Sequence, residues 1–480
     1  MAAAYKLLKS DNNYEVIILE KESNIGGLCK TTDFENVRCD CGVHFYRISE
    51  HSEVNDLIYN LFNIEDGESK YLNSTERKKY VKAGKTRFNS NKIMLINKNI
   101  SNIYFCNEFF NYPIKFNFNT IRKIGIVEFC KIAISYLENL FHKKEESNLE
   151  NYYINRYGKK FYEMFFLGYT IKVCGVSPKD ISVEWGKQRI RDTSLINILK
   201  EKILNIRNFN NEPSLIDEYY YPKHGTGEVY EELAKEIVNL GGEIITDCHL
   251  KSIDIKDFNV ENIAFSNNGI LKQVKPDYLI NTIPIKEFIS LLDGVEIDEK
   301  IKNYANKLPF RDLILVNLLI SKNDMRDLKN YHIIKDNSWV FIQEPKIKFG
   351  RIKIANNWSK YLFNDEDAYN NNVLMTLEYY VSNDDCFHVM NDTEIIKIVK
   401  NELDILKLLP QNGFLNYEIK KIRNAYPSYY GTYENRNKIM EYLGKFKNVF
   451  FAGRAGLHQY IDMDVAIVSG FRASESIMKK

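Results

Sequence analysis

Residues 14–19, YEVIIL, form a nearly continuous apolar run that ends on an acidic residue, Glu20. A run this short and this apolar suits a strand covered on both faces, as in a parallel sheet. Just before it, residues 2–9, AAAYKLLK, read as the end of an amphipathic helix, and Ser10 to Asn13 make a polar turn. Helix, turn, buried strand and acidic residue are the second half of a βαβ dinucleotide-binding unit. In such a unit a glycine-rich loop joins the first strand to the first helix, about 20 positions ahead of the acidic residue. Counting back from Glu20 places that loop at or before Met1. The expectation is a unit without its first strand and glycines, which binds a dinucleotide poorly until roughly a dozen residues, one strand plus its turn, are restored. The plainer alternative is an ordinary helix–strand pair with no nucleotide.

The segment after Glu20 favours the nucleotide. It reads KESNIGGLCKT, so a double glycine, Gly26–Gly27, follows the acidic residue after a five-residue spacer. A carboxylate at Glu20 can accept hydrogen bonds from both hydroxyls of a ribose. Glycines without a Cβ let the backbone approach a pyrophosphate or a flat ring closely. Near the other end, NVFFAGRAGLHQYIDMDVAIVSG (448–470) reads as a buried strand ending at Gly453, a loop, and a helix opening at Asp464 or just before. A helix N-terminus offers free N–H groups and the positive end of a dipole to a phosphate or an electron-rich ring edge.

The remainder bounds the class. With 480 residues, two or three structural units are expected. Lys plus Arg is 66 and Asp plus Glu is 64, a balance that argues against nucleic acid as a partner. Eight cysteines are scattered without a CxxC pair, and the histidines do not cluster with them, so no metal site is expected. No apolar run reaches 18 residues and no signal pattern is visible, so a cytoplasmic protein without a transmembrane segment is expected. Helices are predicted over 119–141, 151–167, 193–206 and 393–408, with Ile121, Ile124, Ile126, Phe129, Ile132 and Ile134 on the apolar side of the first. Residues 230–246 read as helix, double-glycine stop and strand, and 277–281 as a short buried strand. Residues 312–320 and 373–381 read as strands of a second sheet.

The residues GRAGLHQYIDMDVAI resemble the C-terminal FAD signature of UDP-galactopyranose mutases. YTIKVCGV (169–176) resembles that family's Tyr-Thr-x-Lys-x-Trp-Gly motif, with Cys174 in the tryptophan place. AYP (425–427) and GRI (350–352) resemble its Tyr-Pro and its substrate-binding Arg-Ile. The front segment, EKESNIGGLCKT with DCGVHFYR (40–47), is more similar to FAD-dependent amine oxidases and protoporphyrinogen oxidase-like proteins. The resemblance implies FAD as cofactor. Glu20 would hold the adenosine ribose, and Gly26, Gly27 and Leu28 would line the flavin, with Gly42 and His44 near its ring. Gly453 and Arg454 would contact the pyrophosphate side, and Asp462, Met463 and Asp464 would bring helix N-terminal amides to the flavin edge. Arg351 would clamp a substrate diphosphate through its bidentate fork, Arg189 or Arg191 would be a second clamp, and Tyr426 and Tyr460 would hydrogen-bond the same group. Of these, Arg351 and Arg189 would carry catalysis.

The expected fold is α/β: a Rossmann-like FAD-binding domain gathered from 1–60, 215–290 and 445–480, and a mixed α+β substrate domain from 61–214 and 291–444. The substrate would bind between them. Two chemistries fit: a mutase acting on a nucleoside-diphosphate sugar, in which reduced flavin attacks the sugar and the diphosphate leaves, or an amine oxidase-like redox enzyme. A truncated chain without activity is the third reading. A homodimer stays open as an assembly.

Overall fold

The computed structural model describes residues 1–10, 14–46, 51–64, 92–112, 114, 117–189 and 218–480. The helix expected at 193–206 and the candidate clamp Arg191 lie outside these residues.

The dominant element is a seven-stranded sheet. Its order is Asn416–Pro427, Phe310–Ser321, Asn372–Val381, Arg351–Ile354, Trp339–Ile342, Ser101–Phe105 and Glu108–Asn111. Every pairing is antiparallel except that of Trp339–Ile342 with Ser101–Phe105. Strand alternation sorts its side chains onto two faces. Ile314, Val316, Leu318, Ile320, Ile352, Met375 and Leu377 join one core, closed by Ile395, Val399 and Leu403 of the Asp392–Ile405 helix. That helix begins on a capping box between Asn391 and Glu394. The intervening residues of the same strands, including Arg351, Lys353 and Glu378, fall on the other face.

The elements expected on the nucleotide side are smaller. Ile17–Leu19 pairs in parallel with Glu243–Ile245, and Leu279–Asn281 pairs in parallel with Val449–Phe451. The Ala2–Leu8 helix packs on the Met463–Met478 helix, where a Cβ at Gly470 would come within 3.2 Å of the Ala3 backbone nitrogen. The strand expected to be buried on both faces is instead half-exposed at all three of Ile17, Ile18 and Leu19. Full burial of a parallel strand needs partners on both edges as well as cover on both faces. Among the described residues Ile17–Leu19 pairs only with Glu243–Ile245.

The expected helix over 119–141 is two helices, Phe118–Ile124 and Ile126–Phe141, broken at Gly125 with φ +87°. Its apolar side is also different: Ile132 is buried, whereas Ile126 and Ile134 are exposed. The helix expected over 151–167 is divided at Gly158, whose φ of +78° and 2.9 Å approach to the Tyr136 backbone exclude a side chain. A π-helical turn at Glu163–Leu167 then leads into Gly168–Cys174.

Candidate functional site

The polar face of the large sheet meets two loops of the nucleotide side, and buried charges join them. A carboxylate in a protein interior needs a cation and further donors. Asp40 ends the strand Val37–Asp40 and is 4 % exposed. Its Oδ2 accepts from Lys353 Nζ at 2.7 Å and from the Tyr221 hydroxyl, and its Oδ1 from Thr31 Oγ1 at 2.7 Å and the Thr226 N–H at 3.0 Å. Burial alone would raise the Asp40 pKa, but Lys353 and these donors outweigh it and hold the group below its ordinary value. The glycines of the 224–227 turn make this possible. A Cβ at Gly225 would come within 2.6 Å of the Thr31 side chain, and one at Gly227 within 2.5 Å of the Thr31 nitrogen.

A second buried pair lies beside the first. Arg351 and Lys353 stand two apart on one strand and share a face. Arg351 Nε donates to Glu378 Oε2 at 2.7 Å and Nη2 lies 2.5 Å from the same oxygen. Glu378 is fully buried, accepts the Val43 N–H at 2.9 Å on Oε1, and accepts the Tyr380 hydroxyl at 2.9 Å on Oε2. This fixes the guanidinium plane. Its Nη1 makes no hydrogen bond among the described residues. Tyr169, Tyr380 and Tyr426 surround the group electrostatically. Burial would weaken its charge, but Glu378 more than restores it.

The loop carrying Gly42 and His44 passes directly over this pair. Gly42 has φ +113°, and a Cβ there would stand 3.4 Å from Glu378 Oε1 and 3.5 Å from His44 Nε2. His44 Nε2 lies 3.1 Å from the Cys41 carbonyl. Burial and then the nearby Arg454 charge push the His44 pKa down to about 4, so the ring is neutral at pH 7. Arg454 carries no carboxylate partner among the described residues. Its Nη2 and Nε donate to the Ile461 carbonyl at 2.8 and 3.2 Å, and its guanidinium stands 5.4 and 5.0 Å from the ring centres of Tyr426 and Tyr460. Those rings stack at 5.3 Å and 18°.

The other predicted residues fall as follows. Glu20 follows its strand, donates its N–H to the Ile245 carbonyl, and accepts the Glu22 N–H on its side chain at 2.9 Å. Gly26 and Gly27 have φ of +104° and +55° and open the short Gly27–Cys29 turn that contains Leu28. Gly453 has φ +76° and donates its N–H to Ser469 Oγ at 2.9 Å. Asp462 is the N-cap of the Met463–Met478 helix, with Asp464 in its first turn, and its side chain makes no cap hydrogen bond. Arg189 ends the Val183–Arg189 helix. Cys174, in the tryptophan place, is buried beside Gly175, where a Cβ would strike the Arg311 guanidinium. Arg311 donates to the Val173 and Tyr380 carbonyls and to Ser382, and so closes the end of the Gly168–Cys174 helix.

Sequence reasoning missed Asp40, Lys353 and Glu378. Two signals were available. A glutamate inside VLMTLEYYV, a strand read as buried, demands a cation, and Arg351-x-Lys353 supplies two on one face.

Fit to a flavin cofactor rests on the glycines. A Cβ at Gly27 or at Gly453 would meet nothing within 4 Å, yet both hold positive φ, so open space borders two backbone segments shaped for close approach. Arg454, next to Gly453, acts electrostatically on both Cys29 and His44, which brings the Gly453 turn, the Gly27–Cys29 turn and the His44 loop near one another.

Together, the parallel pairs, the glycine turns and the second sheet define a two-part flavoprotein fold. The chain matches the flavin containing amine oxidoreductases over residues 1–478, and it belongs to that family. It is an FAD-dependent enzyme. The fold is similar to that of reduced UDP-galactopyranose mutase, with 18% identity, TM-score 0.75, and coverage of 100% of this chain and 93% of that one. It is similar to a putative protoporphyrinogen oxidase from Exiguobacterium sp. 255-15, at 14% identity, TM-score 0.66 and coverage of 100% and 96%. It is also similar to putrescine oxidase bound to putrescine, at 11% identity, TM-score 0.58 and coverage of 100% and 96%. No curated protein matches. Among the described residues no helix is long and apolar enough to cross a membrane.

Proposed function

We propose that the enzyme acts on a nucleoside-diphosphate sugar in the manner of a UDP-galactopyranose mutase. One observation carries this reading: two guanidinium groups, Arg351 and Arg454, flank the aromatic cluster of Tyr380, Tyr426 and Tyr460, and among the described residues only Arg351 of the two has a carboxylate partner. The excess positive charge suits a diphosphate. It opposes a protonated amine, whose recognition would use the ring faces of Tyr426 and Tyr460, which Arg454 already borders.

In this reading FAD, when bound, supplies the electron-pair chemistry at the sugar. The chain binds and orients. Arg351 presents Nη1 to the diphosphate while Glu378 holds the rest of its fork, Tyr426 and Tyr460 offer hydroxyls, and Arg189 or Arg191 supplies a second cation. Neutral His44, whose Nε2–H donates to the Cys41 carbonyl, would have Nδ1 left to accept one hydrogen bond at the ring of the cofactor. We further propose the two-domain division at 1–60, 215–290 and 445–480 against 61–214 and 291–444, a cytoplasmic location, and a place in polysaccharide biosynthesis.

The test uses the flavin-loaded, reduced protein. Uridine diphosphate is expected to shift or quench the flavin signal, and Arg351→Ala to abolish that response. No response in the intact loaded protein would sink the sugar-nucleotide reading and leave amine oxidase-like redox chemistry.

A further inference from the structure

Lys172 lies in the segment YTIKVCGV (169–176), on the Gly168–Cys174 helix. Its ammonium donates to three backbone carbonyls, those of Ile342 at 2.7 Å, Glu344 at 3.0 Å and Phe349 at 3.5 Å. An ammonium has three donors and no acceptor, so this set uses it fully. The three carbonyls belong to one stretch, the connection between the strands Trp339–Ile342 and Arg351–Ile354. They lie toward its two ends, so a single side chain draws those ends together. The same connection is fixed from behind. Glu402 of the Asp392–Ile405 helix accepts the Lys348 N–H and, at 2.7 Å, the Tyr379 hydroxyl, while Ile347 and Phe349 are fully buried in the core. Immediately before Arg351, the Gly350 N–H donates to the Glu378 carbonyl at 2.9 Å. Tyr169 stands three residues before Lys172, about one turn along the same helix. A Cβ at Gly350 would come within 2.7 Å of the Tyr380 ring and 3.6 Å of the Tyr169 ring, so the glycine lets the strand of Arg351 start against both. Arg311 holds the far end of the helix by donating to the Lys172 and Val173 carbonyls.

We infer that Lys172 is a positioning residue, which pins the 342–350 connection to the Tyr169 helix and so sets where Arg351 stands opposite Tyr169. The consequence for a diphosphate ligand rests on the sugar-nucleotide reading; the hold on the connection does not. An apolar side chain could not serve, because three carbonyls turned toward it would lose their shared donor. Burial pushes the Lys172 pKa down to about 8, opposed by the charges of Glu402 and Glu344, while Arg311 binds the carbonyl of Lys172 itself. The side chain is therefore mostly an ammonium at pH 7 and mostly a neutral amine at pH 9, with one donor fewer for the three carbonyls.

Hydrogen exchange of the full chain, read without added ligand in peptides covering 343–351, tests the pin. Lys172→Met should speed exchange there by roughly tenfold or more, as expected on losing charge-assisted hydrogen bonds, and leave Phe310–Ser321 at the parent rate. Lys172→Arg keeps the charge and should stay close to the parent. A second comparison needs no Met variant. Between pH 7 and pH 9, after correction for intrinsic exchange, the parent should lose protection at these amides and Lys172→Arg should keep it, since a guanidinium stays protonated. Parent-like exchange in Lys172→Met, or equal pH profiles for the parent and Lys172→Arg, would each overturn the inference. Uridine diphosphate titrated into the reduced, flavin-loaded protein then reads the position of Arg351. Its dissociation constant should rise about tenfold in Lys172→Met and stay close to the parent value in Lys172→Arg. Unchanged affinity beside faster exchange would show a connection loosened without moving Arg351, and would also overturn the inference. If the intact protein binds no uridine diphosphate, the sugar-nucleotide reading falls, and the Gly350 amide bound to the Glu378 carbonyl reports on the start of the Arg351 strand instead. Lost protection of that amide in Lys172→Met supports the pin, and parent-like protection overturns it.

Discussion

The two parallel strand pairs and the seven-stranded sheet differ in what holds them. Phe310–Ser321 has eleven of its twelve residues buried, and Asn372–Val381 nine of its ten. Each lies between two partners and contributes alternate side chains to a closed core. The nucleotide-side strands Ile17–Leu19, Glu243–Ile245, Leu279–Asn281 and Val449–Phe451 have three residues each, and most of those residues stay half-exposed. The large sheet is stabilised by its own packing. The small strands depend on what surrounds them.

Asp40 links the two regions, and removing it should have the largest effect. Asp40→Ala leaves Lys353 buried without a counter-charge, which costs about 3–5 kcal/mol. Urea unfolding should show that loss. Asp40→Leu with Lys353→Met should recover much of it, because an apolar pair of similar volume fills the space without an unpaired charge. An Asp40→Ala chain as stable as the parent would mean that water reaches Lys353 and that the regions are joined by other contacts.

Within each region the contrast can be measured directly. Leu318 is fully buried in the large sheet, and Leu318→Ala should cost about 2–5 kcal/mol. Ile18 is half-exposed, and Ile18→Ala should cost roughly 1 kcal/mol, less than the full burial of such a side chain. Adding FAD should change the second value more than the first. Ligand at 100 times its dissociation constant stabilises the folded state by about 2.7 kcal/mol. Hydrogen exchange should report that protection at Ile17–Leu19 and Val449–Phe451 and leave Phe310–Ser321 unchanged. Equal protection everywhere would show one cooperative unit and remove the distinction.

Legibility in the sequence follows the same division. The long buried strands, the Asp392–Ile405 helix with its cap and the terminal helix from Met463 were readable because period and capping act locally. Glu20, Gly26, Gly27 and Gly453 were readable as candidates because an acidic strand end and positive-φ glycines leave a local mark. The Asp40–Lys353 and Arg351–Glu378 pairs were not, since their partners are 313 and 27 residues apart and meet only through the sheet register. The helix at Ile126–Phe141 misled for a different reason. It has apolar residues on both sides, and sequence alone does not say which side the domain covers.

The smallest effect expected is in pH dependence, and it separates two buried groups of the nucleotide side. Burial raises the Glu228 pKa to about 7, while His44 is lowered to about 4. For Glu228 the folded chain holds its proton more tightly than the unfolded chain. Its contribution is full below the ordinary value of 4.5 and is lost as pH rises to about 7. For His44 the unfolded chain takes up the proton first, so stability falls as pH drops from 6.5 to about 4. The two slopes oppose each other between 4.5 and 6.5, and the parent chain should be nearly flat there. Glu228→Gln removes the falling limb, so its stability should climb with pH across that window, by on the order of 1–2 kcal/mol. His44→Phe should do the reverse and decline with rising pH. Unfolding midpoints measured at intervals from pH 4.5 to 7 decide between these slopes. If both variants track the parent, then neither group is kept from water in the folded chain, and the loops around Gly42 and Gly225 are looser than their close contacts with Glu378, Thr31 and Asp40 require.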